Sequence, residues 1–160
     1  MNSKHHSLRH YKEEHYQIIE KAQTYEELSE AAIDILKIMP KPIGIVCGPI
    51  STGGAGNIKA NLELFEKTIH KLADEGKSIF NQMPFEKGIS KLRDKFGNLP
   101  EEKNQILLDR FYHALYKSGL INKMYFMNGW ESSHGAKWER KVSKELGIEI
   151  IDLPEDFLNQ

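Results

Sequence analysis

Hydrophobic and polar positions divide the chain into segments of two periods. Over residues 1–38, Tyr16, Ile19, Ala22 and Gln23 recur at helical spacing, as do Leu28, Ala31, Ala32, Ile35 and Leu36. Two helices broken near Thr24 follow, with Thr24 and Glu27 at capping-box spacing. Met39-Pro40-Lys41-Pro42 stops the second helix. Ile43-Gly44-Ile45-Val46-Cys47 is a short apolar, β-branched run and predicts a buried strand. Ile58, Leu62, Phe65, Ile69 and Leu72 then form one stripe and predict a helix over 58–75, with Asn57 as N-cap and Gly76 just past its end. A second strand is predicted over 78–82, and 89–99 reads as irregular or weakly helical. Pro100 and the acidic residues after it open a helix to about residue 117, with Leu107, Leu108, Phe111, Ala114 and Leu115 on its buried face. Met124-Tyr125-Phe126-Met127 predicts a third strand, 137–146 a helix stopped by Gly147, and 148–153 a last strand.

This alternation predicts an α/β fold with a mostly parallel sheet of four to five strands. The organisation is an N-terminal helical arm over 1–40 and an α/β domain over 41–160. Packing or oligomer contacts are the expected role of the arm.

Composition narrows the function. The chain has 160 residues and a net charge of −1, so no global basic field favours duplex nucleic acid. No apolar run approaches the ~20 residues of a membrane span. Cys47 is the single cysteine; it cannot form an internal disulfide, and a cytoplasmic protein is expected. No metal and no cofactor are expected. His5, His6, His10 and His15 lack a carboxylate or cysteine at ligand spacing in their own segment.

The candidate chemistry lies in two loops that follow strands. After the first strand comes Gly48-Pro49-Ile50-Ser51-Thr52-Gly53-Gly54-Ala55-Gly56, with four glycines and two hydroxyls. It is neither a Walker A sequence nor a G-x-G-x-x-G, but its glycines let backbone approach a ligand closely. After the third strand comes Asn128-Gly129-Trp130-Glu131-Ser132-Ser133-His134-Gly135-Ala136, leading into a helix that carries Glu139. Ser132, Ser133 and the amides near Gly135 and Ala136 could hold an anion at the helix start. Glu139, placed about one turn into the helix, is expected to be kept ionised by the helix dipole. Asn81, Gln82 and Glu86, near the end of the second strand, are further candidates for ligand contact or ordinary loop polar groups. Asp109 and His113 lie one turn apart on their helix. Trp130 can stack on a base or cap the sheet edge. Cys47 reads as a packing thiol rather than a nucleophile.

Two of these segments resemble a known superfamily. Cys47-Gly48-Pro49-Ile50 with its glycine-rich loop resembles the first motif of the nucleoside 2-deoxyribosyltransferase-like superfamily. Gly129-Trp130-Glu131-Ser132-Ser133 through Gly135-Ala136 to Glu139 is similar to its second motif, in the G-W-E-x-S-x-G-A-x-x-E form of an uncharacterised bacterial branch. The resemblance covers about residues 43–152 and implies a flavodoxin-like fold, related to the Rossmann-like three-layer architectures. It implies cleavage or transfer at an N-glycosidic bond of a nucleoside or nucleoside 5′-monophosphate. On the same terms Glu139 is the nucleophile at the anomeric carbon, and Asp109 orients the sugar or handles a proton. Gly48, Pro49, Ile50, Ser51, Gly53, Gly54, Asn81, Trp130, Glu131, Ser133, Gly135 and Ala136 are the expected substrate-binding residues. Ser133 matches a phosphate-contacting serine of the monophosphate hydrolases. Where those hydrolases have a tyrosine, this chain has Ile45, so an aromatic or hydroxyl contact is missing or comes from Tyr112, Tyr125 or Trp130. A homo-oligomer is also implied.

The chemistry of such a reaction fits the residue types. An oxocarbenium-like state is stabilised by a carboxylate, and the leaving base needs a proton that Asp109, Glu131 or His134 can supply. The competing reading is a non-catalytic nucleotide-binding module acting through a protein partner.

Overall fold

A computed structural model describes residues 4–50, 53–95 and 101–160, with backbone alone over 101–108. The element order is α1 (Glu13–Lys21), α2 (Tyr25–Ile38), β1 (Ile43–Cys47), α3 (Ile58–Asp74), β2 (Ser78–Ile79), α4 (Met83–Lys95), α5 (Glu101–Lys117), β3 (Lys123–Phe126), α6 (His134–Leu146) and β4 (Glu149–Asp152). Four strands form one sheet in the order β2-β1-β3-β4, and every pairing is parallel. This is a flavodoxin-like, three-layer α/β fold. Its order reverses direction between β1 and β3, and open sheets of this kind bind ligands outside the carboxyl ends of the strands at that point.

Alternation along the strands sends side chains into two cores. Ile43, Ile45 and Cys47 of β1, with Met124 and Phe126 of β3, pack under α2, α4, α5 and α6. Val46 and Tyr125 face the other way, toward Phe65, Ile69 and Leu72 of α3. β1 is buried along its whole length, as its unbroken apolar run requires of a central parallel strand. Leu28, Ala32, Ile35 and Leu36 of α2 are wholly or almost wholly buried in the first core. The N-terminal arm thus supplies a layer of the same core as β1.

Several boundaries differ from the periodicity. The second strand is only Ser78–Ile79, and Met83 to Glu86 begin α4 instead of lying in a loop. The Asn81 side chain accepts the Met83 N–H at 3.0 Å and so caps that helix. Phe85, Ile89 and Leu92 give α4 a buried face that the charged residues between them conceal. α6 starts at His134, three residues before the predicted start, because Ser133 caps it by accepting the Ala136 N–H at 3.1 Å. In α3 the buried face is Asn61, Phe65, Thr68, Ile69 and Leu72, while Ile58 is exposed. The first turn of α3 presents Asn61 inward to hold the preceding loop. Ser51, Thr52 and the side chains of Leu107 and Leu108 lie outside the described residues.

Candidate functional site

Glu139 sits in the second turn of α6, below the switch point. Its side chain is half-buried, with the carboxyl end sunk against α5 and the end of β1. The Tyr116 hydroxyl donates to Glu139 Oε2, and the Cys47 thiol is a second hydrogen-bond partner. Burial raises the Glu139 pKa from 4.5 to about 7. Tyr116 and Cys47 oppose that rise by bonding to the anion, and the negative charges of Glu86 and Asp109 add to it. The expectation that the helix dipole keeps Glu139 ionised is therefore corrected. One turn further from the helix start than expected, the dipole is weaker, and desolvation outweighs it. The Cys47 thiol is itself pushed well up, first by burial and then by the charge of Glu139, so it stays protonated and donates.

Asp109 lies on α5, two turns before Tyr116, within electrostatic reach of Glu139. Between them Tyr112 donates its hydroxyl to Glu86 Oε1. Four elements thus converge on one acidic cluster: the end of β1 through Cys47, α4 through Glu86, α5 through Asp109, Tyr112 and Tyr116, and α6 through Glu139. Ile45 is core. Tyr116 and Tyr112 supply the hydroxyls; Tyr125 faces the opposite core. Sequence reasoning missed Tyr116 and the link from Cys47 to Glu139. The available signal was Asp109, Tyr112 and Tyr116 at successive turns of one helix.

The two loops are tied directly to one another. The Gly54 N–H donates to Ser132 Oγ at 2.8 Å, and Ser132 Oγ donates to the Gly129 carbonyl at 2.7 Å. Asn61, almost fully buried, donates to the carbonyls of Ile50 and Gly53, each at 3.1 Å, and accepts the Ala55 N–H at 2.8 Å. Gly53 and Gly54 both have positive φ, 68° and 61°. A Cβ on Gly53 would fall on the Ser132 carbonyl, and one on Gly54 would strike Asn61 and Pro49. Close approach to the other loop therefore demands glycine at position 53, and the packing of Asn61 and Pro49 demands it at position 54. Gly48 is held against Met127 in the same way, where a Cβ would lie 2.6 Å from Sδ.

A cavity of about 570 Å³ opens between the loops, walled by Pro49, Gly54, Leu64, Met127, Glu131 and Ser132 among others. Its size is that of a small-molecule site. Glu131 is exposed, Gly135 half-buried and Ala136 buried. Ser133 is buried, with its oxygen accepting from Ala136 to cap α6. One face of Trp130 is covered by the Arg140 guanidinium, 4.3 Å from the ring centroid. Phe126 meets the ring edge-on, with centroids 5.7 Å apart. Arg140 is in turn held by Asp152 through bonds of 2.6 and 3.0 Å. Asn81 is brought elsewhere: its side chain donates to Ser7 Oγ at 3.0 Å, and its carbonyl accepts the Tyr11 hydroxyl. It joins the arm to α4.

Residues 45–152 match the model of a family described as a domain of unknown function, DUF4406. The chain belongs to that family. The matched span runs from β1 to β4 and contains both loops and Glu86, Asp109, Tyr112, Tyr116 and Glu139. No curated protein and no solved structure matches the chain.

Folding of this DUF4406 chain does bring carboxylates to the N-terminal histidines, which their own segment could not show. His5 and His6 both reach Asp74 Oδ1 through Nε2, at 2.9 and 2.6 Å. His15 Nε2 reaches Asp34 at 2.8 Å. His5 Nδ1 accepts the Ser7 N–H at 3.1 Å, and His15 Nδ1 the Lys12 N–H at 2.9 Å. In the neutral tautomer that these bonds select, Nε2 of His5 and of His15 donates to the carboxylate. Among the described residues, no helix is long and apolar enough to cross a membrane.

Proposed function

We propose that this protein cleaves or transfers at the N-glycosidic bond of a nucleoside or nucleoside 5′-monophosphate, with Glu139 as nucleophile. The observation that carries the reading is the setting of Glu139. It is a poorly solvated carboxyl bonded by Tyr116 and Cys47, at the carboxyl end of a parallel sheet and within reach of a second carboxyl, Asp109. A carboxylate with a pKa near 7 is a stronger nucleophile than a solvated one and is substantially ionised at neutral pH. Its attack on the anomeric carbon forms a glycosyl ester as the bond to the base breaks. The leaving nitrogen takes up a proton from solvent, which Asp109 relays. Water or a second base then displaces Glu139, returning the sugar to solvent or to a new base.

The cavity is walled by the two loops and α3 and not by Glu139 or Asp109; in this reading the glycine-rich loop and Glu131 would hold the remainder of the substrate there. No step calls for a metal or redox group. The same reading takes the protein to be cytoplasmic and to work as a homo-oligomer. The test is release of free base by wild type and its loss in Glu139→Gln. Thermal stabilisation by a nucleotide without base release would favour a nucleotide-binding module instead.

A further inference from the structure

Two carboxyl–tyrosine pairs lie side by side beneath the end of β1. In one, Tyr116 donates to Glu139; in the other, Tyr112 donates to Glu86 in the first turn of α4. The two tyrosines are one turn apart on α5, and their rings stack with centroids 6.1 Å apart at 23°. Packing alone does not call for the second pair. Its immediate neighbours in sequence, Phe85 and Phe111, are fully buried apolar groups. An acidic group set among them carries a desolvation cost that an apolar side chain would avoid. A half-buried residue whose carboxyl end lies out of water, next to a carboxyl with a chemical task, needs an explanation.

We infer that Glu86 is a positioning residue of the Glu139 site: held by Tyr112 beside the Tyr116–Glu139 pair, its charge governs whether Glu139 stands as carboxylate or as acid. The functional meaning of this inference rests on the proposed role of Glu139. Two carboxyls sharing one poorly solvated site resist ionising together and titrate as a coupled pair. The groups that face them are Tyr25 from α2, Cys47 from β1, Arg93 from α4, and Asp109, Tyr112 and Tyr116 from α5. Burial keeps Cys47, Tyr112 and Tyr116 protonated at neutral pH. Arg93 draws Glu86 toward its anion, against the burial that favours its acid form. Glu86 and Asp109 are then the negative charges that act on Glu139.

The experiment is a carboxyl ¹³C NMR titration of the full-length protein labelled at glutamate, with the Glu139 resonance assigned by its loss in Glu139→Gln. In Glu86→Gln the Glu139 step should move to lower pH by roughly half a unit or more, and Glu86→Asp should restore it. An unmoved step in a folded Glu86→Gln protein would overturn the inference. If Glu86→Gln does not fold, Tyr112→Phe serves. There the Glu86 anion loses its donor and rests more in the acid form, so the Glu139 step must move to lower pH, and an unchanged position would overturn the inference. The titration needs no turnover. A shifted step in a protein that releases no base would sink the glycosidase reading and leave the coupling standing; an unshifted step in an active enzyme would do the reverse.

Discussion

Replacing Glu139 by glutamine should stabilise the protein at alkaline pH and not at acid pH. The folded state holds the Glu139 carboxyl at a pKa of about 7, against 4.5 for the ordinary group. The folded state therefore binds this proton more tightly than the unfolded chain. The stabilisation it brings is full below about pH 4.5, declines as pH rises, and is gone above about pH 7. At about 1.4 kcal/mol per pH unit, the difference amounts to about 3 kcal/mol in all, and about 2.5 kcal/mol between pH 5 and pH 8. Glutamine keeps the shape and can still accept the Tyr116 hydroxyl, but has no proton to lose. The assay is urea unfolding of wild type and Glu139→Gln at pH 5 and pH 8. Groups that do not interact with Glu139 cancel in the comparison. The stability difference should shift by about 2–3 kcal/mol in favour of the variant on going to pH 8. A difference that does not change with pH would refute the claim that burial dominates the setting of Glu139.

Two further outcomes follow from the same geometry. Tyr116→Phe removes the hydroxyl that bonds the Glu139 anion, so Glu139 should titrate at still higher pH. Stability at pH 8 should fall by about 1–3 kcal/mol, and an unaltered pH dependence of unfolding would count against that bond. Gly53→Ala forces a Cβ onto the Ser132 carbonyl at a φ of 68°. It should cost about 1–3 kcal/mol, read as a lower melting temperature, and a wild-type melt would show that the two loops are not tied as described.

The parts of the fold legible in the sequence are those where local signals agree. The apolar run of β1 and the Asn57 cap with the α3 stripe place their elements directly. So do the acidic start of α5 and Gly147, which stops α6. α4 was hidden because its buried residues Phe85, Ile89 and Leu92 are separated by charges and Gly88, and because its cap, Asn81, reads equally well as a loop residue. In the site, Glu139 and Asp109 stand out by motif and spacing. Tyr116, Cys47 and Glu86 do not, because their roles exist only once α4, α5, α6 and the end of β1 converge. The composition of the glycine-rich loop speaks for openness to a ligand. Its closeness to Ser132 and Asn61 depends on a long-range contact that no local pattern encodes. At Glu139 a local pattern shows the field of the helix but not the burial that folding imposes, and burial is the larger effect.

The most direct test of the account is chromatographic detection of free base. Purified protein would be incubated with ribo- and deoxyribonucleosides and their 5′-monophosphates, with Glu139→Gln as the control. The account predicts base released from one substrate class by wild type and at least a hundredfold less by the variant, on the order of a lost catalytic carboxylate. Base released at the same rate by folded Glu139→Gln, or by neither protein from any member of the panel, would contradict it.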